Sequence, residues 1–397
     1  MTATLIKSNR IQSIDLLRGL VMVIMALDHV RDYTNHGYLF GNPTDIDTTT
    51  PLLFFTRWIT HFCAPVFVFL AGTSAYLYSS KKTKKQTAKF LFTRGLWLIL
   101  IEITVVNFAW TFDIGLGVHI LQVIWAIGLS MVLLSALIFM PVKYLLILGI
   151  LLAGAHNLLD PITMQGSDPL SVVWYILHQQ NFLPIYNGQG MIAFVYPIIP
   201  WLGLMILGYC FGTFYKTGFD TSIRKKWLLI LGIGSILLFI ILRIINGYGD
   251  PAPWSEQKNF TYTFLSFLNV TKYPPSLLYI LMTLGPALLF LYFTENVQNR
   301  VSKFFVVIGR VPFYYYILHL YLIHLIGFIG LLILGESWKE LILTPSRFMG
   351  GYLSDKGFDL WVTYVVWVLV VLILYPLCKK YQVYKANNPE KWWLSYL

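Results

Sequence analysis

Asp28, His29 and Asp32 lie within the stretch ALDHVRDYTNH (26–36), beside Arg31. These residue types move protons: a carboxylate holds one imidazole nitrogen and leaves the other free to take a proton from a nucleophile. On a helix His29 and Asp32 are three residues apart, and Asp28 shares a face with Arg31 and Asp32. Asp28 and His29 follow directly on the uncharged run Leu20 to Leu27. Ionisable groups inside an apolar segment cost free energy and mark function. Arg31 and Asp32 are also explained by a helix turning polar as it leaves a bilayer.

His61 stands four residues before Pro65 in HFCAPVFVFLAGTS (61–74). Proline has no N–H, so the His61 carbonyl loses its helical partner and must face protein or water. A structural and a catalytic role are both open to this histidine. Arg18 follows Asp15 by three residues and can pair with it or bind an anion. It lies about 15 Å from Asp28 along a helix. Glu102 and Asn107, the cluster Asp113, His119 and Gln122, and the pair His319 and His324 are further leads. His319 and His324 sit about 140° apart on a helix, which argues against a two-histidine metal site. No HExxH pattern, phosphate-binding glycine loop, GxSxG elbow or dinucleotide fingerprint is present, and no metal is expected.

The elements that position these groups are membrane helices. Of 397 residues 57% are hydrophobic and only 12% charged, about half the charge of a soluble domain. Apolar stretches of spanning length recur throughout. The expected fold is an all-α, polytopic helix bundle forming one domain over 1–397. The segment 1–12 and the tail 379–397 are expected in the cytoplasm, with the bundle over 13–378. Ten helices are predicted, near 13–34, 52–79, 89–110, 116–139, 142–159, 190–214, 226–246, 276–294, 303–333 and 358–378. The ninth carries Gly309 and Pro312 and can be kinked or in two pieces. The first apolar run has no small-residue cleavage site after it and is expected to stay as an anchor. Cys63, Cys210 and Cys378 are scattered and suggest neither disulfides nor a metal site.

The net charge of +11 is better explained by the positive-inside rule than by nucleic-acid binding. With both termini cytoplasmic, Arg31, Arg57, Arg243, Lys258, Lys272, Lys339, Arg347 and Lys356 fall outside, and the other 21 of 29 Lys and Arg lie on or near the cytoplasmic side. The longer loops, 35–51, 160–189, 247–275 and 334–357, then face outward. No internal repeat is evident.

RIQSIDLLRGLVMVIMALDHVRDY (10–33) and FCAPVFVFLAGTSAYLY (62–78) resemble the opening spans of the heparan-alpha-glucosaminide N-acetyltransferase catalytic-domain family. YPIIPWLGLMILGYCFG (196–212) and GRVPFYYYILHLYLIH (309–324) resemble later signatures of its bacterial members. The resemblance implies a multi-pass protein of a bacterial inner membrane that moves an acetyl group from cytoplasmic acetyl-CoA to an amine or hydroxyl of an extracytoplasmic sugar-type acceptor. It places the active site near the outer end of the first span. The position of the family's active-site asparagine holds His29 here, and His36 is the nearest residue to its loop histidine. Catalytic candidates are therefore His29, Asp28, Asp32, His36 and His61, with Asp28 or Asp32 orienting the His29 ring. Because CoA carries anionic phosphates, Arg18, Arg94 and Arg310, near cytoplasmic helix ends, are the candidates for binding it. A proton-coupled transporter using Asp28, Glu102 and the histidines is the alternative function. Paired broken repeats, common in transporters, are not found. A purely structural membrane protein is a third option.

Overall fold

The computed structural model describes residues 11–37, 41–350, 353 and 355–395, so most of the expected N-terminal segment lies outside the described residues. Helix α1 (Gln12–Thr34) is the central post of the bundle. Next come α2 (Pro51–Trp58) and α3 (Cys63–Ser79), joined through a 3-10 turn at Ile59–Phe62 that contains His61. Helix α4 (Lys84–Ile101) runs through a π-turn, Glu102–Val106, into α5 (Asn107–Thr111). Strand β1 (Val118–Leu121) leads into α6 (Val123–Leu137) and α7 (Val142–Gly154). Helix α8 (Pro169–Leu177), β2 (Asn181–Ile185) and β3 (Gly190–Phe194) form most of an insertion before α9 (Ile198–Phe211) and α10 (Thr221–Ile245). The chain ends with α11 (Phe260–Leu268), α12 (Leu277–Thr294), α13 (Arg300–Gly309), α14 (Pro312–Ile333), α15 (Pro345–Gly350) and α16 (Leu360–Asn387).

Among the described residues seven helices are long and apolar enough to cross a membrane. Helices α6 and α7 are apolar but shorter, and α1 has the length but carries Asp15, Arg18, Asp28, Arg31 and Asp32. Helices α10 and α16 turn Leu237, Ile241, Leu369 and Leu372 outward. Such continuous apolar surface belongs against lipid, and the protein is an integral membrane protein.

Three expected helices differ. The segment predicted as a helix over 116–139 begins as β1, and that over 190–214 begins as β3. Strand β1 pairs in parallel with β3, and β2 pairs antiparallel with β3. A short apolar run does not distinguish a buried strand from a helical turn. The segment over 303–333 is two helices, α13 and α14, broken between Gly309 and Pro312.

Glycines set several helix crossings. A Cβ on Gly19 would lie 1.9 Å from the Phe305 carbonyl oxygen, and one on Gly309 would lie 1.9 Å from that of Asp15. Helices α1 and α13 thus touch backbone to backbone, as small residues permit between membrane helices. Gly72 and Gly208 do the same for α3 and α9.

Candidate functional site

Asp28, His29, Arg31 and Asp32, at the C-terminal end of α1, open onto a cavity of about 660 Å³. Arg57 and His61 reach it from the α2–α3 segment, and Gln122 from the start of α6. Lys272 and Tyr273 close it from the loop before α12.

The carboxylates are committed to arginines. Asp28 pairs with Arg57 and lies 3.1 Å from Arg31, whose guanidinium also reaches Asp32 at 2.5 Å. Neither acid orients the His29 ring, contrary to the expectation from spacing. That partner is His319 of α14, whose Nε2 lies 2.7 Å from His29 Nδ1. His319 Nδ1 lies 3.1 Å from the Tyr315 carbonyl, which can only accept. The tautomers follow: His319 donates from Nδ1 and accepts at Nε2, so His29 donates from Nδ1. In the neutral ring His29 Nε2 then carries a lone pair. Trp110 packs edge-on against His29, with centroids 4.8 Å apart, and fixes the ring plane.

His61 is buried on the same cavity wall. Its carbonyl, released by Pro65, accepts a 2.7 Å hydrogen bond from the Tyr279 hydroxyl. His36 does not line this cavity. It is exposed, 3.6 Å from Asp359, on a neighbouring groove that shares Arg31, Asn42 and Pro43 with it. His324 is held by the carbonyls of Ala109 and Leu341, both at 3.1 Å, and has a structural place.

Glu102, Asn107 and Asp113 build the site rather than line it. Asn107 bonds both Val118 O and Ile120 N, at 2.8 and 3.0 Å, and so mimics a neighbouring strand for β1. Glu102 accepts from the backbone N of Gln122 at 3.0 Å, at the N-terminus of α6 where a carboxylate is favoured. Together they fix the turn that presents the Gln122 side chain. Asp113 ties the backbone of Gly115 and Gly117 in the preceding loop.

A second cavity, about 220 Å³, lies toward the N-terminal half of α1. Arg18 and Ser74 line it with Met22, Leu70, Leu98 and Phe313. Arg18 also donates to Asp15 at 3.0 Å, to the Gly309 carbonyl and to Ser74. Arg310 reaches the same Asp15 at 3.4 Å. Arg94 does not line the cavity, but stands one helical turn before Leu98, which does. A small space of about 40 Å³ lies between the two cavities. It shares Asp28, His29, Gln122, Tyr196 and Lys272 with the larger cavity and Tyr316 with the smaller.

The loop bearing Lys272 gave no signal in the sequence as part of a site. Its position depends on two anchors, the buried Arg243 and the half-buried Asp250. The Arg243 guanidinium donates to the carbonyls of Phe267, Ala252, Ser266 and Asn269. Asp250 accepts from Thr271 N at 2.8 Å and from the Ser276 hydroxyl at 2.6 Å.

No curated protein matches the chain. The family described as "Heparan-alpha-glucosaminide N-acetyltransferase, catalytic" matches residues 10–243. That range holds the whole Asp28–His29 helix, Arg57, His61 and Gln122, and ends on Arg243. It covers more than half of the sequence, and the chain belongs to this family of membrane acetyltransferases.

Proposed function

We propose that the protein transfers an acetyl group from acetyl-CoA, bound in the cavity beside Arg18, to an amine or hydroxyl of a sugar-type acceptor in the cavity beside His29. One observation carries this reading: a small space lined by His29 on the side of the larger cavity and by Tyr316 on the side of the smaller lies between the two. The smaller is apolar with a cationic edge, which suits an acyl-thioester arm whose anionic phosphates stay near Arg18 and Arg310. The larger carries Arg31, Arg57 and Lys272 against Asp28 and Asp32, with Asn42, Gln122 and Gln180, which suits a polar, hydroxyl-rich acceptor.

The acceptor's lone pair attacks the thioester carbonyl while His29 Nε2 takes its proton. The Gln122 amide and the Lys272 ammonium, which line the same small space as His29, stabilise the developing oxyanion in this reading. The tetrahedral intermediate collapses, the C–S bond breaks, and the imidazolium returns its proton to the CoA thiolate. His319 holds the His29 ring through Nδ1, and the arginines fix the two carboxylates beside it. An acetyl-histidine relay is the covalent variant, with His29 Nε2 as nucleophile. In this reading the ten segments α1, α2–α3, α4–α5, α6, α7, α9, α10, α12, α13–α14 and α16 traverse the membrane, with both termini cytoplasmic. Such an enzyme belongs in a bacterial inner membrane, facing the cell envelope with its larger cavity.

The test uses the full chain in detergent, with acetyl-CoA and a panel of amino sugars and neutral sugars. CoA release is followed with a thiol reagent and the acetylated product by mass. Release that depends on an acceptor is expected. Failure to bind acetyl-CoA, with counterflow of a solute in proteoliposomes, would replace this reading with the transporter.

A further inference from the structure

A second cluster of chemically capable side chains lies outside the cavities. His156 and Asp160 follow the end of α7, and His178 follows the last residue of α8. One ligand atom from each lies within 4.8 Å of the others. His156 is 2% exposed, and neither of its ring nitrogens makes a full hydrogen bond. The Pro275 carbonyl is close enough to take a proton from one of them. Two under-satisfied nitrogens in one buried ring are unusual and ask for a partner. His178 is 3% exposed, with Nε2 3.0 Å from Asp160 Oδ1 and Nδ1 unpartnered. The other carboxylate oxygen of Asp160 accepts from Asn157 at 2.8 Å.

We propose that His156, Asp160 and His178 bind a divalent transition ion of the zinc type, which clamps the end of α7 to the end of α8. Two imidazoles and one carboxylate are a donor set that zinc accepts, with water completing a tetrahedral shell. Ligand bonds of about 2.0–2.2 Å place tetrahedral neighbours about 3.3–3.5 Å apart. The His178–Asp160 pair, at 3.0 Å, is already close to that spacing, and His156 has to move nearer to complete the set. Part of the support that a metal site uses is present. The Pro275 carbonyl lies near the His156 ring, Asn157 holds the non-ligating oxygen of Asp160, and His178 moves its proton to the open Nδ1. Asp160 is the partly exposed member and gives the ion its way in.

The position gives the ion a purpose. His178 is followed by Gln179 and Gln180, and Gln180 and Phe182 line the larger cavity. An ion at His178 stiffens the wall against which the acceptor would rest. The metal site itself does not depend on the transfer reaction.

Full-length protein, purified with a tag that contains no histidine, is stripped with a chelator and dialysed against zinc or magnesium. Elemental analysis should find about one zinc per chain and no retained magnesium. Cobalt in its place should give the intense visible absorption of a four-coordinate ion. The His156→Gln, Asp160→Asn and His178→Gln variants should each lose the bound zinc, whereas His119→Gln should keep it. Zinc should raise the melting temperature of the parent and of His119→Gln, and not of the other three. Zinc retained equally by all variants, or absent from the folded parent, overturns the site. Acetyl transfer is measured separately, so loss of zinc and loss of the proposed reaction are told apart.

Discussion

At the scale of single residues the site is an ordered chain of three groups: the Tyr315 carbonyl, His319 and His29. A neutral imidazole in place of the usual carboxylate orients the base, while the neighbouring carboxylates of Asp28 and Asp32 pair with arginines instead. His29→Ala should purify normally, bind acetyl-CoA and lose about 10²–10⁴ in transfer rate, as removal of a general base does. A loss of less than tenfold would move the role to His61. His319→Leu should lower kcat with KM for acetyl-CoA unchanged, and His319→Gln, whose amide oxygen can still accept from His29 Nδ1, should recover part of it. Equal activity in the leucine and glutamine variants would reduce His319 to packing. His36→Ala should stay near the parent, since this residue is exposed and outside the cavity. The sequence singled out Asp28 and His29 because charge interrupts an apolar run there, and the two do line the larger cavity. The free carbonyl of His61 was legible from Pro65. The His29–His319 contact was not, because helical spacing within one segment says nothing about which distant helix meets it.

At the scale of elements, the helices that pack most closely are those whose sequences spell small residues at the crossing. Gly19 follows Arg18 in the opening motif and meets Gly309 of α13, whose carbonyl also receives Arg18. One crossing therefore positions both the helix that carries His29 and an arginine of the smaller cavity. Gly19→Leu drives a side chain into the Phe305 carbonyl. Ordinary overpacking costs about 1–3 kcal/mol, and a backbone clash exceeds it. Monodisperse protein recovered in detergent should fall sharply for Gly19→Leu. Gly234→Leu, on the exposed face of α10, where an added Cβ would meet no neighbouring element within 4 Å, should be recovered like the parent. A normal yield for Gly19→Leu would mean that the crossing can open. Long apolar runs made most helices legible, and Gly309 with Pro312 marked the break between α13 and α14. The three strands were not legible. They are only four or five residues long, and β1 is completed by the side chain of Asn107 rather than by a pattern of its own.

At the scale of the whole molecule, the proposed reaction requires the two cavities to face opposite compartments, and the charge distribution supplies the orientation. The lysine run 81–85 follows α3 at the same end as the Arg18 cavity, while the loop 41–50 borders the His29 cavity. On the proposed topology the positive-inside rule assigns the first to the cytoplasm, where acetyl-CoA is made, and the second to the outside. The three native cysteines are buried, so single introduced cysteines can be read against a low background. In intact cells a membrane-impermeant maleimide should label Thr48→Cys and leave Lys84→Cys unmodified until the membrane is opened. In sealed vesicles of known sidedness, acetyl-CoA should support transfer only when supplied on the side where Lys84→Cys reacts, and product should gather on the other. Labelling of Lys84→Cys from outside would reverse the orientation. Transfer with donor and acceptor confined to the same side would separate the chemistry from the membrane crossing: His29 would then be a base reached from one compartment, and the small space between the cavities would no longer mark the path of the acetyl group.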